Sequence, residues 1–147
     1  VPDSELGALA GHVHYVARDA LLREADFVVS VVPSTPETKH LLGAEAFAMM
    51  KPSAIVINGS RGAIVDEAAL LHALDTDQIR AAGLDVFATE PLPVESPLRT
   101  HAKVVALPHI GSATHETRHA MAEMATSNLL QVLAGEQPAG RFDLNHA

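Results

Sequence analysis

The segment that decides the fold is SAIVINGSRGAIVDEAALLHALDTDQIRAAGLDVF, residues 53–87. Its apolar run SAIVING (53–59) is typical of a buried strand. Asp66 then stands as the N-cap of DEAALLHAL, whose apolar spacing predicts a short amphipathic helix. The run IRAAGLDVF (79–87) returns to a strand pattern. Strand, helix and strand in this order predict one parallel βαβ unit.

The same alternation extends toward the N-terminus. HVHYV (12–16) and DFVVSVVP (26–33) have strand patterns, and DALLREA (19–25) between them has a helical one. TPETKHLLGAEAFAMM (35–50) carries a helical apolar stripe, which ends at Lys51-Pro52 because proline disfavours helix at the preceding residue.

Toward the C-terminus, AKVVALP (102–108) predicts a further strand. A long helix is expected to begin at the Ser112/Thr114 cap region, to run to about Ala134 and to stop at Gly135. The predicted fold class is therefore α/β, with a doubly wound parallel sheet.

Composition excludes several classes of protein. The chain has 147 residues, of which 48% are hydrophobic, enough for one domain with a sizeable core. It lacks cysteine, which excludes disulfides, thiolate nucleophiles and sulfur ligands for a metal. The net charge is −8 and no basic cluster interrupts it, so nucleic acid is not an expected partner. We expect neither a membrane span nor a signal peptide, and a cytosolic location.

Polar residues follow three of the predicted strands, in NGSRG (58–62), LDVFATEP (84–91) and PHIGS (108–112). Parallel α/β sheets bind ligands beyond the carboxyl ends of their strands, so these three segments are candidates by position. Taken singly, Arg61 could be a surface cation, Glu90 an ordinary loop acid and His109 a buried histidine. If these three residues lie together at one edge of the sheet, they can bind a carboxylate and transfer a proton.

In the order and spacing of these segments, the chain resembles the D-isomer-specific 2-hydroxyacid dehydrogenases, which are NAD(P)-dependent enzymes of the cytosol. The segments that carry the resemblance are ADFVVSVVPSTPETKHLL, MMKPSAIVINGSRGAIVDEAALLHAL, IRAAGLDVFATEPLP and VVALPHIGSATHETR. Within the family, GLDVFATEPLPVESPL and PHIGSATHETR are most similar to the glyoxylate/hydroxypyruvate reductases that also reduce 2-ketogluconate. Such enzymes transfer a hydride between NAD(P)H and a small 2-keto or 2-hydroxy acid, commonly as homodimers.

The resemblance implies a role for each of three residues. His109 would be the general acid/base, Glu90 its partner and Arg61 the anchor of the substrate carboxylate. Physical chemistry agrees, because a histidine suits proton transfer near neutral pH and a neighbouring carboxylate favours its charged form. The planar guanidinium of Arg61 can hold a carboxylate through two parallel hydrogen bonds.

The resemblance also implies which residues contact the cofactor, NAD or NADP. Glycine allows close backbone approach to it, and an aspartate can accept a hydrogen bond from its carboxamide. The set is Val32, Pro33, Gly59, Ser60, Arg61, Asp85, His109, Gly111 and Ser112.

The chain lacks the usual start of such a domain. Its nine glycines contain no G-x-G-x-x-G turn, and the family's substrate domain is also missing. We therefore assign residues 1–134 to the C-terminal portion of an NAD(P)-binding domain and 135–147 to a C-terminal tail. In the strand order 3-2-1-4-5-6, HVHYV would have no neighbour and the remaining sheet would have an unpaired edge.

Two alternative functions remain open. The chain could be a non-catalytic folding or oligomerisation unit. Alternatively, His115, Glu116 and His119 spell H-E-x-x-H, the helical pattern of zinc hydrolases, with Glu123 or Glu136 as a third ligand. The extended zinc pattern fails at Ala122 and Ala125, so no metal site is expected.

Overall fold

The computed structural model of the chain describes residues 7–9 and 11–140. Its strands are β1 (Phe27–Ser30), β2 (Ile55–Asn58), β3 (Ala81–Leu84) and β4 (Val104–Ala106). Its α-helices are α1 (Arg18–Glu24), α2 (Ala44–Met49), α3 (Glu67–Asp75) and α4 (His115–Leu133). Short 3-10 turns occupy Gly7–Leu9, Pro36–Thr38, Gly62–Ile64 and Pro97–Arg99. The chain forms two compact units, one ending at Pro108 and the other beginning at His109.

The first unit contains a four-stranded sheet in the order β1-β2-β3-β4, with every neighbouring pair parallel. Each strand lies beside the one before it in the chain. Because parallel crossovers are right-handed, a sheet that grows in one direction receives all its connecting helices on the same face. The predicted α/β class with a parallel sheet is confirmed.

One face of the sheet forms the core of this unit. Val28, Val56 and Ala82 are paired across β1, β2 and β3 and all are buried. They belong to the same hydrophobic cluster as Phe47 of α2 and Leu70 of α3. Branched and aromatic side chains pack well on such a pleated surface, so burial of this cluster holds helices and sheet together.

The opposite face of the sheet is apolar and open. Phe27 and Val29 of β1 are 65% and 57% exposed, and Val105 of β4 is 65% exposed. Val29, Ile57, Gly83 and Val105 lie in one row across the four strands. Parallel sheets are normally covered on both faces, so this row is a surface on which a second layer would pack.

The second unit is built around α4. The side chain of Thr114 caps this helix by accepting a hydrogen bond from Thr117 N at 3.1 Å. The helix ends at Leu133, and Gly135 follows with a φ of 76°, the left-handed conformation that commonly terminates helices. The predicted cap, length and stop are confirmed. None of the helices within residues 7–9 and 11–140 has the length and hydropathy that a bilayer crossing requires.

Two predicted elements differ from the structure. HVHYV (12–16) does not form a strand, and all five residues are exposed. A strand requires a hydrogen-bonded neighbour, and none of the four strands in the described residues pairs with this segment.

The helical stripe over residues 35–50 is interrupted. Thr35 caps a 3-10 turn at Pro36–Thr38, His40 adopts a φ of 53°, and α2 begins only at Ala44. Leu42, between the two, forms an isolated parallel bridge with Val65. The segment is therefore tied to the chain after β2, which outweighs its local helical pattern.

Candidate functional site

The three candidate segments leave the sheet at one edge. Asn58, Leu84 and Ala106 end β2, β3 and β4 and are paired in a single row. Backbone hydrogen bonds continue one residue further, from Asp85 N to Asn58 O at 3.0 Å and from Leu107 N to Leu84 O at 2.8 Å. β2 and β3 thus deliver the loops that carry Arg61 and Glu90 at the same level, and β4 ends in the same row.

The arginine loop, residues 58–62, is shaped by a buried side chain. Asn58 is 1% exposed, and its Oδ1 accepts hydrogen bonds from Ser60 N at 3.2 Å and from Ser60 Oγ at 3.0 Å. Its Nδ2 donates to the carbonyl oxygen of Arg61 at 3.0 Å. One amide therefore holds the backbone on both sides of the arginine position.

A serine of β1 extends this network. Ser30 is 6% exposed, and its Oγ lies 3.2 Å from the Oγ of Ser60. Ser30 is not among the residues selected from the sequence, although a hydroxyl inside the apolar run FVVSVV is a usable signal for a buried polar contact. Ser60 is itself 7% exposed, so its hydroxyl serves the loop structure.

Arg61 is exposed, and its Nη1 donates to the carbonyl oxygen of Ser60 at 2.7 Å. The guanidinium is thus steadied by the loop while its remaining donors are available to a carboxylate. Gly59 beside it is exposed, and a β-carbon there would have no atom within 4 Å. The space next to the backbone of Gly59 is therefore open to a ligand.

The acidic turn, residues 85–90, follows β3. Asp85 is half-buried, and Glu90 is exposed with its Oε1 accepting a hydrogen bond from Phe87 N at 3.0 Å. Glu67, in the first turn of α3, accepts a hydrogen bond from Ala88 N at 2.7 Å. Two carboxylates therefore bind two successive amides of this turn.

The arginine loop and the acidic turn are in direct contact at Gly62. A β-carbon on Gly62 would overlap the carbonyl group of Phe87 and the nitrogen of Ala88. Only glycine allows two backbones to approach so closely. Gly62 thus sets the separation of the loops that carry Arg61 and Glu90.

His109, Gly111 and Ser112 belong to the second unit and are exposed. His109 has a φ of 55°, the left-handed region that residues other than glycine seldom adopt. Such conformations are concentrated at functional sites, where the surrounding structure holds them. The structure brings the loops of Arg61 and Glu90 into contact. A catalytic role for His109 together with these two residues stays a prediction.

Val32 and Pro33 follow β1. Val32 is half-buried against the hydrophobic core, and the carbonyl oxygen of Pro33 accepts a hydrogen bond from Thr38 Oγ1 at 2.8 Å. Both contacts are structural, and their predicted contact with a cofactor remains a prediction.

The H-E-x-x-H segment lies at the start of α4. His119 Nε2 is 3.2 Å from Glu123 Oε1, and both side chains are largely exposed. Within residues 7–9 and 11–140, no three histidine, aspartate or glutamate side chains are grouped so that they could hold a metal ion.

Comparison with family models connects this geometry to known proteins. Residues 3–111 match the model of the D-isomer specific 2-hydroxyacid dehydrogenase NAD binding domain. The chain belongs to this family. The resemblance inferred from the sequence is confirmed, and the family consists of NAD(P)-dependent dehydrogenases.

Relatives in the dehydrogenase family give the same result. Glyoxylate/hydroxypyruvate reductase B of Escherichia fergusonii is 60% identical over 124 residues, which are 84% of this chain and 38% of that protein. The crystal structure of a protein from Thermus thermophilus superposes with a TM-score of 0.81 at 48% identity, over 84% of this chain and 40% of that one.

The chain spans about two fifths of the length of the curated relatives it matches.

A third relative is the NADPH-dependent glyoxylate/hydroxypyruvate reductase of Sinorhizobium meliloti, solved with NADP and malonate. It has a TM-score of 0.73 at 37% identity, over 78% of this chain and 35% of its own.

Proposed function

We propose that this chain is the C-terminal portion of the nucleotide-binding domain of a reductase that acts on glyoxylate, hydroxypyruvate or 2-ketogluconate. The observation that carries the proposal is the contact, at Gly62, of the loops that bear Arg61 and Glu90. Curated relatives at about 60% identity are named for glyoxylate and hydroxypyruvate, which supports these substrates. Residues 1–134 would belong to the domain and 135–147 to a tail. A cytosolic location and a homodimer are predicted with it.

The residues fit a nicotinamide dinucleotide. The open space beside Gly59 lets a flat ring approach the backbone, and Asp85 stands at the end of β3 as a half-buried acceptor for a carboxamide. When bound, the reduced cofactor supplies the hydride. Gly59, Ser60, Asp85, Gly111 and Ser112 would hold it.

Three side chains would perform the remaining chemistry. Arg61 would bind the substrate carboxylate with two parallel hydrogen bonds and so orient the keto group. His109, as an imidazolium, would give its proton to the alkoxide that forms on the carbonyl oxygen. Glu90 would favour the charged imidazolium and fix its orientation. In the reverse direction, His109 would accept the proton from the hydroxyl group.

The test is a steady-state assay of the polypeptide that carries this chain, with glyoxylate or hydroxypyruvate and NADPH or NADH. Replacing His109 by Ala should reduce kcat by at least about a hundredfold with little change in cofactor affinity. His115→Ala, on the exposed start of α4, is the matched control. Turnover retained by the His109 variant would refute the acid/base assignment.

A second candidate function follows from the chain's coverage of its relatives. A chain that spans about two fifths of them could act only as a folding or oligomerisation unit. Reduction of glyoxylate by these 147 residues alone would exclude this function. Assembly without turnover would support it. A zinc hydrolase would instead be inhibited by a chelator and would contain bound metal.

A further inference from the structure

The acidic turn is held by a residue outside the proposed catalytic set. Glu67 lies in the first turn of α3 and reaches the amide of Ala88 across 21 residues of sequence. From this contact we infer that Glu67 is a positioning residue that fixes the turn carrying Glu90. Its catalytic consequence rests on the proposed function.

The peptide group between Phe87 and Ala88 is constrained from two directions. Gly62 lies against its carbonyl and nitrogen atoms, and Glu67 Oε1 accepts its N–H at 2.7 Å. Hydrogen bonds to a carboxylate are shorter and stronger than those between neutral groups. Rotation of this peptide group would break the bond to Glu67.

This peptide group adjoins the amide that binds Glu90. Glu90 Oε1 accepts a hydrogen bond from Phe87 N, which belongs to the preceding peptide group. A shift of the peptide would turn the Phe87 amide and move the Glu90 carboxylate with it. Glu67 therefore acts on Glu90 through the backbone, with no contact to substrate required.

α3 does not need Glu67 as its cap. Asp66 already accepts hydrogen bonds from Ala68 N and Ala69 N, each at 3.1 Å. Glu45 occupies the equivalent first turn of α2 and is exposed, so it supplies the same helix-dipole contribution without the acidic turn. Comparing the two glutamates separates the loop contact from the effect on a helix terminus.

Two substitutions distinguish the effect of the length of the Glu67 side chain from the effect of its charge. Glu67→Gln keeps an oxygen at the same distance along the side chain and removes the charge. Glu67→Asp keeps the charge and withdraws the carboxylate by one methylene. If Glu67 acts through its bond to Ala88, the Gln variant resembles the wild type and the Asp variant does not. Glu45→Asp is the matched control.

Hydrogen exchange of residues 86–90 measures the contact between Glu67 and Ala88 without any assay of turnover. It is followed by mass spectrometry on the polypeptide that carries this chain. We expect faster exchange in Glu67→Asp and wild-type exchange in Glu67→Gln and Glu45→Asp. Equal exchange in all three variants would overturn the inference. Because this readout does not depend on activity, it decides the contact even if no keto acid is reduced.

Kinetics then test the consequence for catalysis. Glu67→Asp should lower kcat by about tenfold or more and leave the KM for the keto acid within about twofold, because Arg61 is undisturbed. Glu67→Gln, which keeps an acceptor within reach of the Ala88 amide, should retain the wild-type kcat. A general loss of folded enzyme on substitution of Glu67 would lower kcat in both variants. Wild-type kinetics in the Asp variant would overturn the catalytic consequence.

Discussion

At the residue scale, the site depends most on a side chain that touches no substrate in the proposed mechanism. Asn58 is buried at the end of β2 and binds the backbone of Ser60 and Arg61. A buried amide that makes these bonds is costly to remove, because its partners lose their hydrogen bonds and stay out of water. The conformation of the arginine loop is therefore a property of Asn58 as much as of Arg61.

Replacing Asn58 by Ala should lower the free energy of unfolding by about 1–3 kcal/mol, because it leaves the Arg61 carbonyl and the Ser60 amide without their partner. Urea denaturation followed by circular dichroism measures this. Ser53→Ala, at an exposed position before β2, is the control and should change stability by less than about 0.5 kcal/mol. Equal stability of the two variants would show that the amide is dispensable.

Replacing Gly62 by Ala should lower the free energy of unfolding more than the addition of one methyl group elsewhere, because the new β-carbon would overlap the Phe87 carbonyl. Forced overlap in a packed region destabilises by about 1–3 kcal/mol or more. Gly59→Ala adds the same atom in open space and should be nearly neutral in thermal unfolding. If both alanines lowered Tm equally, the close contact between the loops would be wrong.

Residue types were easier to predict than their contacts. Arg61, Glu90 and His109 carry recognisable chemistry and follow apolar runs, so sequence alone selected them. Glu67 resembles any acid in the first turn of a helix, and its bond to Ala88 depends on a distance between this helix and the acidic turn that only the folded chain defines.

At the element scale, predictions succeeded where the signal was local. The N-cap Asp66 and the stop at Gly135 placed the beginning of α3 and the end of α4 correctly, because caps act within one turn of helix. HVHYV failed because a strand exists only beside a partner. The interruption before α2 was missed because it depends on the bridge from Leu42 to Val65.

An ion pair between the residue before β4 and the turn after α3 has a pH-dependent effect on stability. Lys103 Nζ donates to Asp77 Oδ1 at 2.7 Å and also to the Leu74 carbonyl. The hydrogen bond from Lys103, with the lysine's charge, holds the pKa of Asp77 below its ordinary value. A carboxyl with a lowered pKa in the folded state adds stability at neutral pH and loses that contribution on acidification.

Asp77→Asn should therefore lower Tm at pH 7 and have less effect below about pH 4, where aspartates become protonated in the unfolded chain. Thermal melts of both proteins across this pH range measure the difference. Glu95→Gln, at an exposed position outside the strands and helices, serves as the control. A difference in Tm that did not shrink in acid would exclude the ion pair as its cause.

At the scale of the whole molecule, the first unit has one buried sheet face and one open apolar face. β1 is at the edge of the sheet, with Phe27 and Val29 exposed. Unpaired apolar edges promote association with other chains. The sequence analysis predicts an unpaired edge, and in the described residues β1 pairs with β2 alone.

These 147 residues alone should therefore associate as their concentration rises. Because they contain no G-x-G-x-x-G turn, they should bind dinucleotide weakly. Val29→Lys places a charge on β1 and should shift the chain toward monomer in sedimentation velocity, whereas Ala48→Lys on the exposed side of α2 should not. A monodisperse monomer that binds NADH tightly would contradict this prediction.

The order β1-β2-β3-β4 also bears on how the chain folds during synthesis. Each strand pairs with the strand made immediately before it, so no pairing has to wait for a later segment. Contacts between near neighbours in sequence form fastest, because closing a short loop loses little entropy. The sheet can thus grow from β1 as the ribosome releases each strand and helix. Pulse-labelled hydrogen exchange on nascent chains should show protection of β1 and β2 before β4 is synthesised.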